Sequence, residues 1–260
     1  KRNAGIIELM VDSYYDLPPK TYDEMFWWKK DDIEFWDILS HEMVSNSVLE
    51  LACGTGRLAQ VFLRNGAHYT GLEIIPDFVS ASIKKLNKYG QNVSIIEGDM
   101  CNFSLDKKFD FIFIGFNSFL HLLNDRDAMD CFHSVQKHMH KNSHFILDMY
   151  IPNPLFLYRP IDSRFHVLEY TDSISHNHIF VEENNQYDPE TEINKITWYF
   201  STAKNKDFDI RQFFVRMYYP SKMNQILIDS GFTICHQWGD YYQTSMTVDS
   251  KLQIYDAVLQ

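Results

Sequence analysis

Three carboxylates recur in the first half of the chain, at the ends of apolar runs: Glu50, Glu73 and Asp99. Just after the first comes Ala52-Cys53-Gly54-Thr55-Gly56. Two glycines two positions apart suit a tight turn whose backbone takes unusual dihedrals or lies against a ligand. A helix opening after such a turn offers free N–H groups to an anionic group. Glu50, just before the turn, is placed to receive a cationic amine. Glu73 stands 17 positions past Gly56 (73 − 56), where a carboxylate can accept from ribose hydroxyls. In Glu97-Gly98-Asp99-Met100, Asp99 can accept from an adenine amino group, beside the flexible, apolar Met100. In order, the three sites describe a pocket for a ligand with an amine, a ribose and an adenine.

Other candidates surround this set. His121 follows the apolar run Phe109 to Ile114, where a substrate would lie, and is the best candidate for a general base. A backbone-bonded structural histidine is an equal alternative. Tyr14, Tyr15, Tyr22, Phe26, Trp27 and Trp28 could form an aromatic lid, since aromatic faces suit a sulfonium or an ammonium. Core packing is the stronger expectation for Trp27 and Trp28. The remaining histidines bring no accompanying ligand set, so no metal site is expected.

These residues require an alternating scaffold. Strands are expected over 47–51, 69–73, 93–97, 109–114 and 144–150. Helices are expected after Gly56, over 77–88, and along Met129, Phe132, Val135 and Met139. Alternation of this kind implies βαβ units and a parallel sheet, with right-handed crossovers. After Pro152 the pattern changes to strand-like stretches from Phe165 to Tyr219, turning at Asp188-Pro189-Glu190-Thr191. Helix returns from Ser221 to Ser230, and 232–238 with 252–258 form a final antiparallel pair. The expected fold is a doubly wound, Rossmann-like α/β domain around a mostly parallel seven-stranded sheet, with an antiparallel β insertion. Its parts are a helical lid (1–46), a cofactor-binding core (47–154), an insertion or substrate cap (155–219) that roofs the site or makes a dimer contact, and a C-terminal completion of the sheet (220–260).

Composition narrows the partners. A formal net charge of −11, with no dense Lys/Arg stripe, argues against nucleic acid. The four cysteines are widely spaced and form no CxxC pair, so reduced thiols in a cytoplasmic protein are expected. No apolar run approaches a membrane span. The expected partner is a small-molecule substrate, with the protein a monomer or homodimer.

Gly54-x-Gly56-x-x-Ala59 also fits a dinucleotide fingerprint, and Glu73 does not separate a nicotinamide cofactor from S-adenosylmethionine. Glu50 and the Glu97–Met100 segment favour the second. Here a resemblance enters. Leu49 to Arg57, Gly71-Leu72-Glu73 and Glu97 to Met100 resemble the successive motifs of class I S-adenosylmethionine-dependent methyltransferases. Phe109 to Ile112 with Phe116 to Leu122, Ser230-Gly231-Phe232 and Trp238 to Tyr241 resemble a small-molecule branch that includes glycine/sarcosine-type and amino-sugar N-methyltransferases. The resemblance implies an enzyme using S-adenosyl-L-methionine to methylate nitrogen or oxygen. It implies that Glu50, Ala52, Cys53, Gly54 and Gly56 hold the methionine moiety, that Glu73 with Ile74 meets the ribose, and that Asp99 and Met100 frame the adenine. Phe116 would lie near the methionine end, and Tyr14 and Tyr22 would close over the cofactor. Ala52 stands where the family often has glycine; a small backbone adjustment is expected to accommodate it. A nicotinamide-dependent oxidoreductase and a non-catalytic S-adenosylmethionine-binding protein are the alternatives.

Overall fold

The computed structural model describes residues 16–43 and 46–260. In chain order it holds α1 (Pro19–Met25), α2 (Ile33–Glu42), β1 (Ser47–Leu51), α3 (Ala59–Arg64), β2 (His68–Glu73), α4 (Pro76–Leu86), β3 (Val93–Glu97), β4 (Phe109–Ile114), α5 (Asp125–Lys137) and β5 (Met139–Tyr150). Next come α6 (Pro154–Leu157), β6 (Phe165–Thr171), β7 (His178–Asp188), β8 (Ile193–Ser201), β9 (Asp209–Arg216), α7 (Pro220–Asp229), β10 (Phe232–Trp238) and β11 (Leu252–Leu259). These elements divide into two compact units, residues 29–151 with 218–260 and the described residues up to Trp28 with 152–217.

The larger unit is built on a seven-stranded sheet of order β10-β11-β5-β4-β1-β2-β3. β1 pairs parallel with β2 and β4, and β2–β3 and β4–β5 are parallel too. β11 runs antiparallel to both β5 and β10. Strand order reverses between β1 and β4, so the carboxyl ends of these two strands border the crevice where ligands bind in open α/β sheets. β4 reads as an unbroken apolar run because it is central: Phe111, Ile112, Phe113 and Ile114 are all fully buried. The helices follow from local signals. α4 opens with proline at its first turn and Asp77, and closes on Lys84 and Lys85, matching the helix dipole. α5 is capped by Asn124, whose side chain accepts from the Asp127 amide at 2.9 Å. α2 presents Phe35, Trp36 and Leu39 to the core, with the Trp36 ring 4.6 Å from Phe113.

Two expectations are corrected here. The helical run through Met139 is too long: α5 ends at Lys137, and Met139 is already the first residue of β5, paired with Phe109. The His138 ring fixes this boundary, its Nδ1 2.7 Å from the Ser134 carbonyl and its Nε2 accepting from the Leu105 amide at 2.8 Å. The buried face of α5 is Ala128, Cys131, Phe132 and Val135, while Met129 is exposed. Trp27 and Trp28, expected in the core, are 61% and 48% exposed. α1 ends before them, and its one buried residue is Met25.

The smaller unit carries a four-stranded antiparallel sheet of order β6-β7-β8-β9, the expected insertion. The turn after β7 forms as its residues suggest: Asp188 accepts from the Glu190 amide at 3.0 Å and the Thr191 hydroxyl at 2.7 Å. Trp198 lies in this unit's core and donates its indole N–H to Glu183 at 3.0 Å. Its arginines are all ion-paired within the unit: Arg159 with Glu183, Arg164 with Asp207, Arg211 with Asp209 and Arg216 with Glu192.

Candidate active site

The turn after β1 is shaped by three left-handed residues, Ala52 (φ 55°), Gly54 (φ 56°) and Gly56 (φ 75°). The two glycines meet different demands. A Cβ on Gly56 would lie 2.8 Å from Leu86 Cδ1, so the tip of that buried leucine would have to give way, at a left-handed position that itself favours glycine. A Cβ on Gly54 would meet nothing within 4 Å, so this backbone faces open space that a ligand can fill. Ala52 departs from expectation. The backbone does not relax around it; alanine itself takes the left-handed conformation, which costs a non-glycine residue about 1–2 kcal/mol.

Glu50 is buried on β1 and accepts a short hydrogen bond from the Tyr69 hydroxyl. Burial pushes its carboxyl up to about 8 against the lowering influence of Tyr69 and Arg57. Such a carboxyl holds a proton until a cation reaches it. The buried Cys53 lies against β2, where a Cβ on Gly71 would come within 2.6 Å of its Sγ. Burial and the charges of Glu50 and Glu73 raise its thiol, which suits a packing role.

Glu73 ends β2, opposite Glu97 on β3. Its Oε2 accepts from the Gly54 amide at 2.8 Å and its Oε1 from the Ile75 amide at 2.9 Å. It therefore ties the glycine turn to the next strand, and an ionised carboxylate with about four acceptor sites keeps capacity for hydroxyl donors. Burial raises its pKa. Ile74 beside it is 54% exposed. Asp99 is exposed past β3, with its Oδ1 accepting from the Cys101 amide at 2.8 Å, and Met100 is half-buried next to it.

Beyond β4 the chain bends sharply through Phe116 (φ 55°) and Asn117 (φ 63°), and the Asn117 side chain accepts from the Tyr150 amide at 2.7 Å. His121 ends the short helical turn Ser118–His121 that follows. Burial draws its imidazole down to about 4, so it is neutral at physiological pH. Tyr22 lies on α1 of the smaller unit, its ring 4.8 Å from Phe26. Tyr14 lies outside the described residues. No group of three or more His, Cys, Asp or Glu side chains that could hold a metal ion occurs among the described residues.

A second constellation escaped the sequence reading. Arg57, directly after the glycine turn, forms a double hydrogen bond with the fully buried Asp32 at 2.8 and 2.6 Å, and also reaches the Lys29 carbonyl at 3.2 Å. Lys29 Nζ bonds Asp31 at 2.7 Å and the Tyr241 hydroxyl at 3.3 Å. Tyr241 in turn donates to Asp148 Oδ2 at 2.5 Å. The Lys29 ammonium lies 4.4 Å from the Tyr241 ring centre and 5.7 Å from that of Phe116, and the Arg57 guanidinium lies 5.2 Å from Phe116. Asp148 is 1% exposed, and its Oδ1 has no hydrogen-bond partner among the described residues. Burial raises this carboxyl to about 6, and burial likewise pushes the Tyr241 phenol far up. The one sequence signal for Asp148 is a carboxylate within the apolar run from Phe145 to Met149 of β5.

Residues 48–142, from β1 to the start of β5, match the family model described as "Methyltransferase domain". The fold extends the likeness to nearly the whole chain. An S-adenosylmethionine-dependent methyltransferase from Clostridium acetobutylicum ATCC 824 is similar at 18% identity, with a TM-score of 0.74 over 92% of this chain and 96% of that one. The CcbJ methyltransferase from Streptomyces caelestis is similar at 17% identity, with a TM-score of 0.77 over 95% and 98%. The sugar N-methyltransferase KedS8 from Streptoalloteichus sp ATCC 53650 is similar at 14% identity, with a TM-score of 0.71 over 96% and 94%. No curated protein matches the chain in sequence.

Proposed function

We propose that the protein transfers a methyl group from S-adenosyl-L-methionine to an amine on a small molecule. The observation that carries this is the glycine turn of a methyltransferase domain with a buried, cation-seeking carboxyl behind it: Glu50 below, open space over Gly54, and Glu73 beside it. These residues fit the cofactor. Glu50 would take the charge of its amine, the 52–56 turn would lie along its methionine moiety, and Glu73 and Ile74 would meet the ribose. Asp99 and Met100 would frame the adenine, and Phe116 would face the sulfonium. Tyr14 and Tyr22 are proposed to close over it.

The bound cofactor supplies the activated methyl group. The chain must align the acceptor with it and exclude water. A neutral His121 suits this task as a hydrogen-bond partner, because an imidazole with a pKa near 4 is a weak base at neutral pH. Nitrogen as acceptor is favoured by the likeness to a sugar N-methyltransferase, and a small acceptor over nucleic acid by the formal charge of −11. Calorimetric titration with S-adenosyl-L-methionine and with NAD tests the cofactor. Binding of NAD alone would reverse the assignment in favour of an oxidoreductase. Transfer of labelled methyl to members of an amine library tests the activity.

A further inference from the structure

The Lys29–Tyr241–Asp148 constellation has no part in the cofactor site as described, yet it is built with some care. Asp148 lies on β5 one residue past Leu147, which pairs with Ile114 at the end of β4. It is therefore level with the bend that carries Phe116, at the carboxyl edge of the sheet. One of its oxygens is bonded to Tyr241, while the other is buried with no partner among the described residues. An ionised carboxylate left half-satisfied away from water is costly, and such an atom persists where a ligand completes it. Tyr241, which bonds it, and Phe116 both lie within cation–π range of one ammonium, that of Lys29. Carboxylate and aromatic faces together are the chemistry that recognises an ammonium ion.

We propose that Asp148, together with the rings of Tyr241 and Phe116 that the Lys29 ammonium reaches, binds the ammonium of the methyl acceptor, and that Lys29 holds this cradle until the acceptor displaces it. The inference rests on the methyltransferase reading above. The groups facing Asp148 are Tyr241, Asp32, Lys29 and Arg57, and the Arg57–Asp32 pair is closed on itself by two hydrogen bonds. Lys29 is paired as well, but with the exposed carboxylate of Asp31 at 2.7 Å, so it is the cation to be exchanged. The acceptor's R–NH3+ gives one proton to the Asp148 carboxylate and becomes R–NH2. Its nitrogen lone pair forms the new N–C bond as the sulfonium S–C bond breaks, the bonding pair staying on sulfur. The product leaves as a methylated ammonium, and Asp148 returns its proton to water. A carboxyl raised towards neutrality by burial is suited to that exchange.

The test screens wild type, Asp148→Asn and Tyr241→Phe in parallel against a library of primary amines, alcohols, phenols and carbon acids with labelled S-adenosyl-L-methionine. Asparagine keeps the shape and the Tyr241 contact but cannot take a proton. For an amine that the wild type methylates, Asp148→Asn is expected to lower kcat/KM at pH 7 by about 10²-fold. Its cofactor Kd stays near the wild-type value, and the loss narrows at pH 9.5, where more amine arrives neutral. Tyr241→Phe, a second route should Asp148→Asn fold poorly, is expected to lower kcat/KM by about tenfold with the same narrowing. Lys29→Met is expected to lower the acceptor KM. Wild-type rates in Asp148→Asn or Tyr241→Phe, or turnover confined to hydroxyl and carbon acceptors, would overturn the role of Asp148 while leaving the methyltransferase reading intact. A wild type that binds no S-adenosyl-L-methionine and methylates nothing would instead remove that reading.

Discussion

Cofactor affinity should depend steeply on pH, and the cause is one carboxyl. Glu50 has a pKa of about 8 in the ligand-free protein because burial outweighs its bond from Tyr69. A cationic amine beside it favours the ionised form, so below pH 8 binding must expel a proton. At pH 6 about one Glu50 in a hundred is ionised, and at pH 8 about half are, so affinity should rise about 50-fold over that interval, or about 2.3 kcal/mol. The sign for folding runs the other way. The folded pKa lies above the ordinary value of 4.5, so this group's contribution to stability is complete below 4.5 and is lost as pH rises through 8. The apo protein should therefore lose melting temperature from this group between pH 5 and 8, and bound cofactor should reverse the loss. Calorimetry in two buffers of different ionisation enthalpy reads the proton directly. Glu50→Gln, which can still accept from Tyr69, should bind weakly with no pH slope. A flat affinity from pH 6 to 8, with no proton released, would refute the reasoning.

Further outcomes follow from the same geometry. Ala52→Gly relieves the left-handed alanine but restores freedom to the unfolded chain, so a net gain of about 0.5–1 kcal/mol is expected in chemical denaturation. Glu73→Ala removes the acceptor for both the Gly54 and Ile75 amides and should cost about 1.5–3 kcal/mol of stability as well as cofactor affinity, read by melting with and without ligand. Gly56→Ala forces a Cβ against Leu86 at a left-handed position and should abolish cofactor binding while far-UV circular dichroism stays close to wild type. With a known acceptor, His121→Gln should retain most of the turnover. A loss of about 10²-fold or more would restore the general-base role.

The sheet, its crossovers and the glycine turn were legible because each rests on local pattern. An apolar strand running into Gly54 and Gly56, and a carboxylate closing the next strand, are readable wherever they occur. The insertion was legible for the same reason, as alternation without intervening helix. The seam between α5 and β5 was not. Met139 continues the helical spacing, and what ends the helix is the His138 ring held by Ser134 and Leu105. The strain at Ala52 was hidden too, since a small residue in a glycine position says nothing of its dihedral. The Asp148 constellation joins residues 93 positions apart at its Tyr241 bond. Each member alone reads as an ordinary strand or loop residue, and only the topology of the sheet brings them together.

The place of β11 has a consequence for how the sheet is made. It lies between β5 and β10, although β10 precedes it in the chain. During synthesis β5 must therefore wait through more than a hundred residues, from Tyr150 to Leu252, before its neighbour exists. Until then β5 presents an open edge of fully buried side chains such as Phe145 and Leu147, and β10 has nothing to join. Contacts this distant in sequence form late and slowly, and an exposed strand edge is a template for wrong pairing. The four-stranded sheet of 165–216 has no such debt, because each of its strands pairs with one already made or the next to come. The seven-stranded sheet, in contrast, is completed by a strand inserted between β5 and the edge strand β10, so residues 252–259 join that last strand to five that are already paired.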